Sequence, residues 1–286
     1  MSKIAVLVDS SSYISPEDLE ALNIKQINNP IMMGTQVFHE NEDWQTPAEF
    51  YEMARTAVTP FTTSQPEIGV FMTAFNELAA AGYTDVIAVV LSSGISGTYS
   101  SVQSLAQTMD NIKIHAWDSQ IAAAGAGNQA KLAAEMVQAG HDVPEILAAL
   151  TTIRGTTNVY FAVDDIRHLQ RTGRISGGLG SLLNIKPMLT FEDGKIIAIG
   201  KERAMKRAWK KMIADFTAIH DAATYPLRVA IVDGNHPDLA DSWAAELQAA
   251  FPDVVVERSI IGPYIGVHTG EKAMGMIWGQ DYKSLL

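Results

Sequence analysis

Apolar residues open the chain as an unbroken run, Ile4 to Val8, that stops at Asp9 and three consecutive serines. A short apolar run ended by polar turn residues predicts a strand buried on both faces. "DVIAVVLSS" (85–93) and "IKIHAWDS" (112–119) repeat that pattern. Between the runs, apolar positions recur at helical spacing. "SPEDLEAL" (15–22) predicts a helix with Ser15 as cap and Pro16 at its first position. "TPAEFYEMARTA" (46–57) repeats this grammar with Thr46 capping, and "EIGVFMTAFNELAAAG" (67–82) predicts a helix that stops at Gly82. "GTYSSVQSLAQTM" (97–109), an alanine-rich stretch through Val137 and a segment from Pro144 give three more helices. Strands and helices alternating over short connections favour an α/β fold with a Rossmann-like parallel sheet and helices on both faces.

After about residue 157 the pattern changes. "NVYFAVDDIRHLQRTGRIS" predicts a strand and a helix, and "KPMLTFEDGKIIAIGKER" an antiparallel hairpin around Glu192-Asp193-Gly194. "LRVAIVDG" (227–234), a helix to about Ala250 and "DVVVERSIIG" (253–262) resume the alternation. Gly155 and the threonines after it mark the expected boundary. Residues 1–157 would form the Rossmann-like domain, and 158–286 an α/β domain with a mixed sheet.

Composition narrows the function classes. The 286 residues are 47% hydrophobic and 19% charged, which suits a globular protein with a large core. A formal charge of −11 argues against a nucleic-acid partner, which needs clustered Lys and Arg. The absence of cysteine excludes disulfides and thiol catalysis. No apolar run approaches the roughly 20 residues that span a bilayer, and the N-terminus lacks signal-peptide grammar, so an integral membrane segment is not expected and the location is expected to be cytoplasmic.

The candidate chemistry lies where strands end. Asp9 with Ser10–Ser12, Ser92-Ser93-Gly94 and Asp118-Ser119 should gather on one edge of a parallel sheet, where ligands bind. Asp and Ser also cap helices, and for Asp9 and Asp118 singly that reading is favoured. Ser93 differs, because a Gly-x-Ser-Gly-Thr turn and a helix N-terminus follow it, an arrangement suited to an anion. No Gly-Lys-Ser/Thr follows, and "SSGISG" lacks nucleophile-elbow spacing. "GAGNQA" (125–130) resembles a dinucleotide fingerprint but is expected to lie several residues into a helix. In "TPFTTSQPE" (59–67), two prolines bracket Thr62, Thr63, Ser64 and Gln65, and Ser64 or Gln65 is placed to cap the next helix. No histidine shows metal-ligand spacing, and His268 stands out in glycine-rich "GPYIGVHTGEKAMG" (262–275). "KERAMKRAWKK" (201–211) concentrates positive charge, with Arg203, Lys206 or Arg207, and Lys210 at helical spacing; Arg167, Arg171 and Arg174 form a second basic group. A solvated surface would account for both.

"VDSSS", "TTSQP", "LSSGISGTYSS", "WDS", "DDIRHLQRTGRIS", "NIKPML" and "GPYIGVHTG", in that order, resemble the DegV family from end to end. These are bacterial fatty-acid-binding proteins that act as lipid-carrying subunits of fatty acid kinase. The chain departs from the family in having one glycine within Arg171–Arg174, and Glu271-Lys272-Ala273 where the family has Pro-Gly-Ala. The second departure falls at the expected lip of the pocket.

The resemblance implies a long-chain fatty acid (palmitate or a C18 acid), no other cofactor and no metal. It places the carboxylate on Thr63, Ser93 and His268, with Thr62, Ser64, Gly94, Ser96 and Gly97 as the supporting loop. Arg174 and Arg203 are expected outside the acyl tunnel, facing a fatty acid kinase catalytic subunit and its phosphate. The second domain would complete the pocket. Physical chemistry is consistent with this. A buried carboxylate needs compensating hydrogen bonds, and each buried methylene contributes about 0.8 kcal/mol, on the order of 10 kcal/mol for a 16-carbon chain before entropic costs. Phospholipid metabolism is the implied setting. Two alternatives use the same residues: a serine hydrolase with Ser93 as nucleophile and His268 as base, and a receptor for a small phosphate-bearing molecule.

Overall fold

The computed structural model describes residues 3–175 and 185–286; Ser176 and Asn184, at the ends of two of the motifs above, lie outside them. The first strand, β1 (Ile4–Asp9), leads to α1 (Pro16–Ala21) and β2 (Ile24–Ile27). Three short strands follow, β3 (Ile31–Met33), β4 (Gln36–Phe38) and, after α2 (Pro47–Thr56), β5 (Phe61–Thr63). Alternation then resumes with α3 (Ile68–Ala80), β6 (Asp85–Val90), α4 (Thr98–Thr108) and β7 (Lys113–Asp118), and ends with α5 (Ala124–Ala139) and α6 (Val143–Thr156).

β2, β1, β6 and β7, in that order, form a wholly parallel sheet. Every residue of β1 is buried, as its apolar run requires. Successive side chains point to opposite faces. Val6 and Val8 accordingly meet Leu132, Ile146 and Leu150 of α5 and α6, while Ala5 and Leu7 meet Phe71 and Phe75 of α3. Pattern and fold agree here.

The antiparallel sheet β4-β3-β5 has no counterpart in the sequence reading. Its strands have three residues each, too few for a period-2 pattern to show. An aromatic cluster of Phe38, Trp44, Phe50 and Phe61 organises this region.

The second sheet comprises β8 (Asn158–Ala162), β9 (Lys186–Glu192) and β10 (Lys195–Glu202), with α7 (Arg167–Arg171) between β8 and β9. After α8 (Met205–Ala222) come β11 (Leu227–Asp233), α9 (Pro237–Ala250), β12 (Val255–Ile260), α10 (Pro263–Thr269) and β13 (Met274–Gln280). The order is β10-β9-β8-β13-β11-β12, with β11 and β12 parallel and the other pairs antiparallel. The expected hairpin is β9–β10. β13, unforeseen, sits between β8 and β11 and carries Gly275 and Gly279, which weaken its strand pattern. Strand membership switches from one sheet to the other between α6 and β8, yet Tyr282 returns to the first core.

Local departures have local causes. Ser15 caps α1, accepting from the Asp18 N–H, whereas Thr46 occupies the corresponding position of α2 without a side-chain bond. α3 starts after Glu67, so neither Ser64 nor Gln65 caps it; Gln65 instead donates to Ser101 of α4. Gly125 and Gly127 belong to the first turn of α5 rather than deeper in a helix. A Cβ at Gly127 would stand 2.7 Å from the Ser12 carbonyl oxygen, so the glycine serves close packing of α5. α8 starts at Met205, which leaves Arg203 in the preceding turn and not on the helix face.

Candidate ligand-binding site

Asp9 is a buried strut. Its Oδ1 accepts from the Ser11 N–H and from Asn29, and its Oδ2 from the Leu91 N–H, tying the end of β1 to the end of β6. Asp118 at the end of β7 accepts from the backbone N–H and hydroxyl of Ser93 and from the Gln120 N–H. The three strand ends are thus joined by carboxylates; Asp9 also caps the short 3-10 helix Ser10–Ser12, as the capping reading has it, whereas Asp118 is not the cap of α5. The same contacts account for Ser93. It is exposed with its hydroxyl donating to Asp118, and no hydrogen bond among the described residues joins it to the other residues expected around the carboxylate.

Those others do converge. Thr63 Oγ1, at the end of β5, lies 2.6 Å from His268 Nε2 on α10. His268 is 7% exposed, and its Nδ1 is buried without a hydrogen-bond partner among the described residues. Burial, reinforced by the charges of Arg174 and Arg171, lowers its pKa to about 3, so the ring is neutral near pH 7. Four residues earlier on α10, one helical turn away, Tyr264 is buried; its ring packs edge-on to His268 and its hydroxyl donates to the Ser64 carbonyl. Burial raises the Tyr264 pKa, the charge of Asp9 adds to the rise, and Arg174 and the Thr63 and Ser96 hydroxyls oppose it. The Ser96 hydroxyl, in the loop that leads into α4, acts on Tyr264 from nearby and itself pairs with the Thr98 hydroxyl at 2.9 Å.

Next to this polar end opens an apolar cleft with about 70 Å³ of internal space. Val159, Phe161, Val232 and Ile277 of the second sheet form one wall, and Leu91, Ile95 and Ile121 beyond the strands of the first sheet form another. Phe191 and Ile196 of the β9–β10 hairpin close a third side. The hairpin is fastened at its tip, where the Ser92 hydroxyl donates to the Gly194 carbonyl at 2.6 Å. Gly94 permits this approach, since a Cβ there would fall 2.2 Å from the Gly194 oxygen. Gly97 similarly makes room for the Gln65 side chain. Thr62 is exposed on β5, beside the site rather than in it.

Arg174 corrects an expectation. It lines the cleft together with Tyr264 and His268 instead of standing outside it, and its guanidinium has no carboxylate partner among the described residues. A cation too polar for the tunnel is suited to its polar end. Arg171 donates to the Phe61 carbonyl and Arg167 pairs with Asp165, so the three arginines do not act as one patch. Arg203 lies apart, exposed beside Lys201 and Arg207 in a depression of its own. Glu271 and Lys272 do not line the cleft; they border a groove on the other side of α10, where Glu271 accepts from Asn235 and faces Arg55. Sequence reasoning missed Tyr264, although its spacing of four from His268 on a helix was available to find it.

The arrangement suits an amphipathic anion, with hydroxyls, a neutral imidazole and a guanidinium at one end and hydrocarbon walls beyond. It does not suit a serine hydrolase. The Ser93 hydroxyl is held by Asp118 while the His268 ring faces Thr63, so nucleophile and base are not paired. Among the described residues no cluster of His, Asp or Glu could hold a metal, and no helix is long and apolar enough to cross a membrane.

A sequence model of the DegV family, described as an uncharacterised protein family, matches residues 3–281. A DegV domain-containing protein of Listeria innocua is 36% identical over 279 residues, covering 96% of this chain and 98% of that protein. Among solved structures, DegV of Bacillus subtilis, described as a fatty acid binding protein, superposes with a TM-score of 0.89 at 35% identity, covering 98% of this chain and all of that one. A Thermus thermophilus DegV family protein, described by its fatty acid binding, gives a TM-score of 0.90 at 26% identity over 97% of this chain and 99% of that one.

Proposed function

The chain belongs to the DegV family, and from that membership and the cleft we propose that it binds a long-chain fatty acid noncovalently as a cytoplasmic carrier. The carrying observation is Arg174, which has no carboxylate partner among the described residues, beside the Thr63–His268 contact at the polar end of an otherwise apolar cleft. A carboxylate there replaces its lost hydration with hydrogen bonds from Arg174 and the hydroxyls of Thr63 and Ser96, while Tyr264, whose proton goes to the Ser64 carbonyl, packs beside them. With His268 as the Nε2–H tautomer, the ring donates to Thr63 Oγ1 and leaves the threonine proton free for the ligand. Ser93 takes part indirectly, holding the 92–97 loop against Asp118. The tail runs along Val159, Phe161 and Ile277 under the hairpin and supplies most of the affinity.

The second half of the proposal is presentation of that carboxylate to a fatty acid kinase catalytic subunit for acyl-phosphate formation. In its support, Arg203 and Arg207 form an exposed basic depression on a chain of net charge −11. Organic extraction and mass spectrometry of gently purified protein, followed by palmitate titration of the delipidated protein, test the first half. A co-purifying C16–C18 acid and saturable binding are expected. No lipid and no binding would exclude the carrier reading.

A further inference from the structure

Helix α10 has seven residues and brings two side chains, Tyr264 and His268, to the polar end of the cleft. A helix this short has little stability of its own, so something outside it must fix its position. Its first N–H groups are satisfied from elsewhere in the chain. Glu40 Oε1, from the segment after β4, accepts from the Tyr264 N–H at 2.5 Å. Tyr13 Oη accepts from the Ile265 N–H at 3.0 Å and donates to the same Glu40 oxygen at 3.3 Å. Gly262 admits both groups, since a Cβ there would stand 2.4 Å from the Tyr13 ring and 3.0 Å from Glu40 Oε1. Glu40 is 4% exposed and forms no ion pair among the described residues, and a buried carboxylate without one is costly to keep. Burial raises its pKa to about 7, while the bonds from Tyr264, Ser10 and Tyr13 pull it back. Neither the fold of the two main sheets nor the carboxylate-binding group uses this residue.

We propose that Glu40, braced by Tyr13, is a positioning residue that seats α10 and so sets the Thr63–His268–Tyr264 geometry that receives the ligand's carboxylate. It rests on the fatty-acid reading above. Glu40 acts by offering an acceptor oxygen to a helix N–H, which it does in either protonation state. A glutamine retains that oxygen, and its amide can donate toward Ser10; a leucine fills the space without an acceptor.

The test compares Glu40→Leu, Glu40→Gln and Tyr13→Phe with wild type in the delipidated full chain at 10 °C, with folding checked by circular dichroism. Palmitate Kd is measured by titration, and the His268 Hε1 resonance by NMR without ligand. Glu40→Leu should weaken palmitate binding at least tenfold and move the His268 resonance. Glu40→Gln should stay within threefold of wild type with the resonance in place. Tyr13→Phe, which keeps the ring but loses the hydroxyl, should weaken binding about threefold to fivefold and carries the test if Glu40→Leu does not fold. An unchanged His268 resonance in Glu40→Leu, wild-type affinity in Tyr13→Phe, or a Glu40→Gln as impaired as Glu40→Leu would overturn the assignment. A wild type that binds no palmitate would instead refute the fatty-acid reading, and the resonance comparison would still decide the role of Glu40.

Discussion

At the scale of single residues, His268 is the side chain whose chemistry the fold changes most. Unfolded, it binds a proton near pH 6.5; folded, burial holds it neutral down to about pH 3. The unfolded state therefore gains a proton first as pH falls, and stability drops between about 6.5 and 3 by up to about 1.4 kcal/mol per pH unit. Urea denaturation at pH 7 and pH 5 should show this loss in wild type and a smaller one in His268→Asn; equal slopes would mean a ring that is not held neutral. Affinity should separate the residues named from sequence. Thr63→Ala and Arg174→Ala each remove a donor from a charged ligand and should weaken palmitate binding by roughly 1.5–3 kcal/mol. Ser93→Ala should leave affinity within about threefold, since its hydroxyl serves Asp118. A large loss on Ser93→Ala with a small one on Arg174→Ala would restore the sequence-based assignment. The sequence pointed to hydroxyls, a histidine and arginines as candidates. It did not show that the Ser92 hydroxyl goes to Gly194 and the Ser93 hydroxyl to Asp118, because a turn decides that and leaves no periodic trace.

At the scale of elements, β1, β6, β7 and the helices of the first sheet were legible because each carries its own apolar run or stripe. The β3–β5 sheet and β13 were not, since long-range pairing and not local pattern creates them. The β9–β10 hairpin was readable from its Asp193-Gly194 turn, but its docking on the 92–97 loop was not; that contact depends on Gly94 lying against Gly194 across the cleft. Gly94→Ala tests the fastening. The new methyl would meet a backbone oxygen, which cannot rotate away, so the hairpin carrying Phe191 and Ile196 must shift. Faster fatty-acid dissociation and a lower Tm are expected from stopped-flow displacement and calorimetry. Gly155→Ala in α6 is the control: nothing lies within 4 Å of the place its methyl would take and its φ is not positive, so a gain of up to about 1 kcal/mol is expected. Loss at both positions would mean general intolerance of added methyls rather than a fastened hairpin.

At the scale of the whole molecule, the two halves of the proposed function, holding a lipid and handing it on, can be told apart by charge. The chain carries −11 overall, yet Lys206 and Arg207 fall in the first turn of α8, with Arg203 just before it and no acid in that turn. Cations at the positive end of a helix dipole disfavour the helix by a few tenths of a kcal/mol each. Stability does not explain them. Their exposure near an empty N-terminal cap suits an anionic partner surface, and clustered charge of one sign speeds encounter with an oppositely charged protein. Arg203→Ala combined with Arg207→Ala should therefore leave palmitate affinity within about twofold, as both residues lie outside the cleft. The same double variant should slow acyl-phosphate formation by a fatty acid kinase catalytic subunit. Wild type should lose rate as salt rises, because exposed charges are screened beyond about 8–10 Å at moderate ionic strength, and the double variant should lose less of its remaining rate. Palmitate titration and a coupled kinase assay across a salt series decide between the outcomes. Parallel losses of affinity and rate would tie these arginines to the lipid site. An unchanged rate with unchanged salt dependence would leave them as a solvated surface and remove the structural support for presentation at this face.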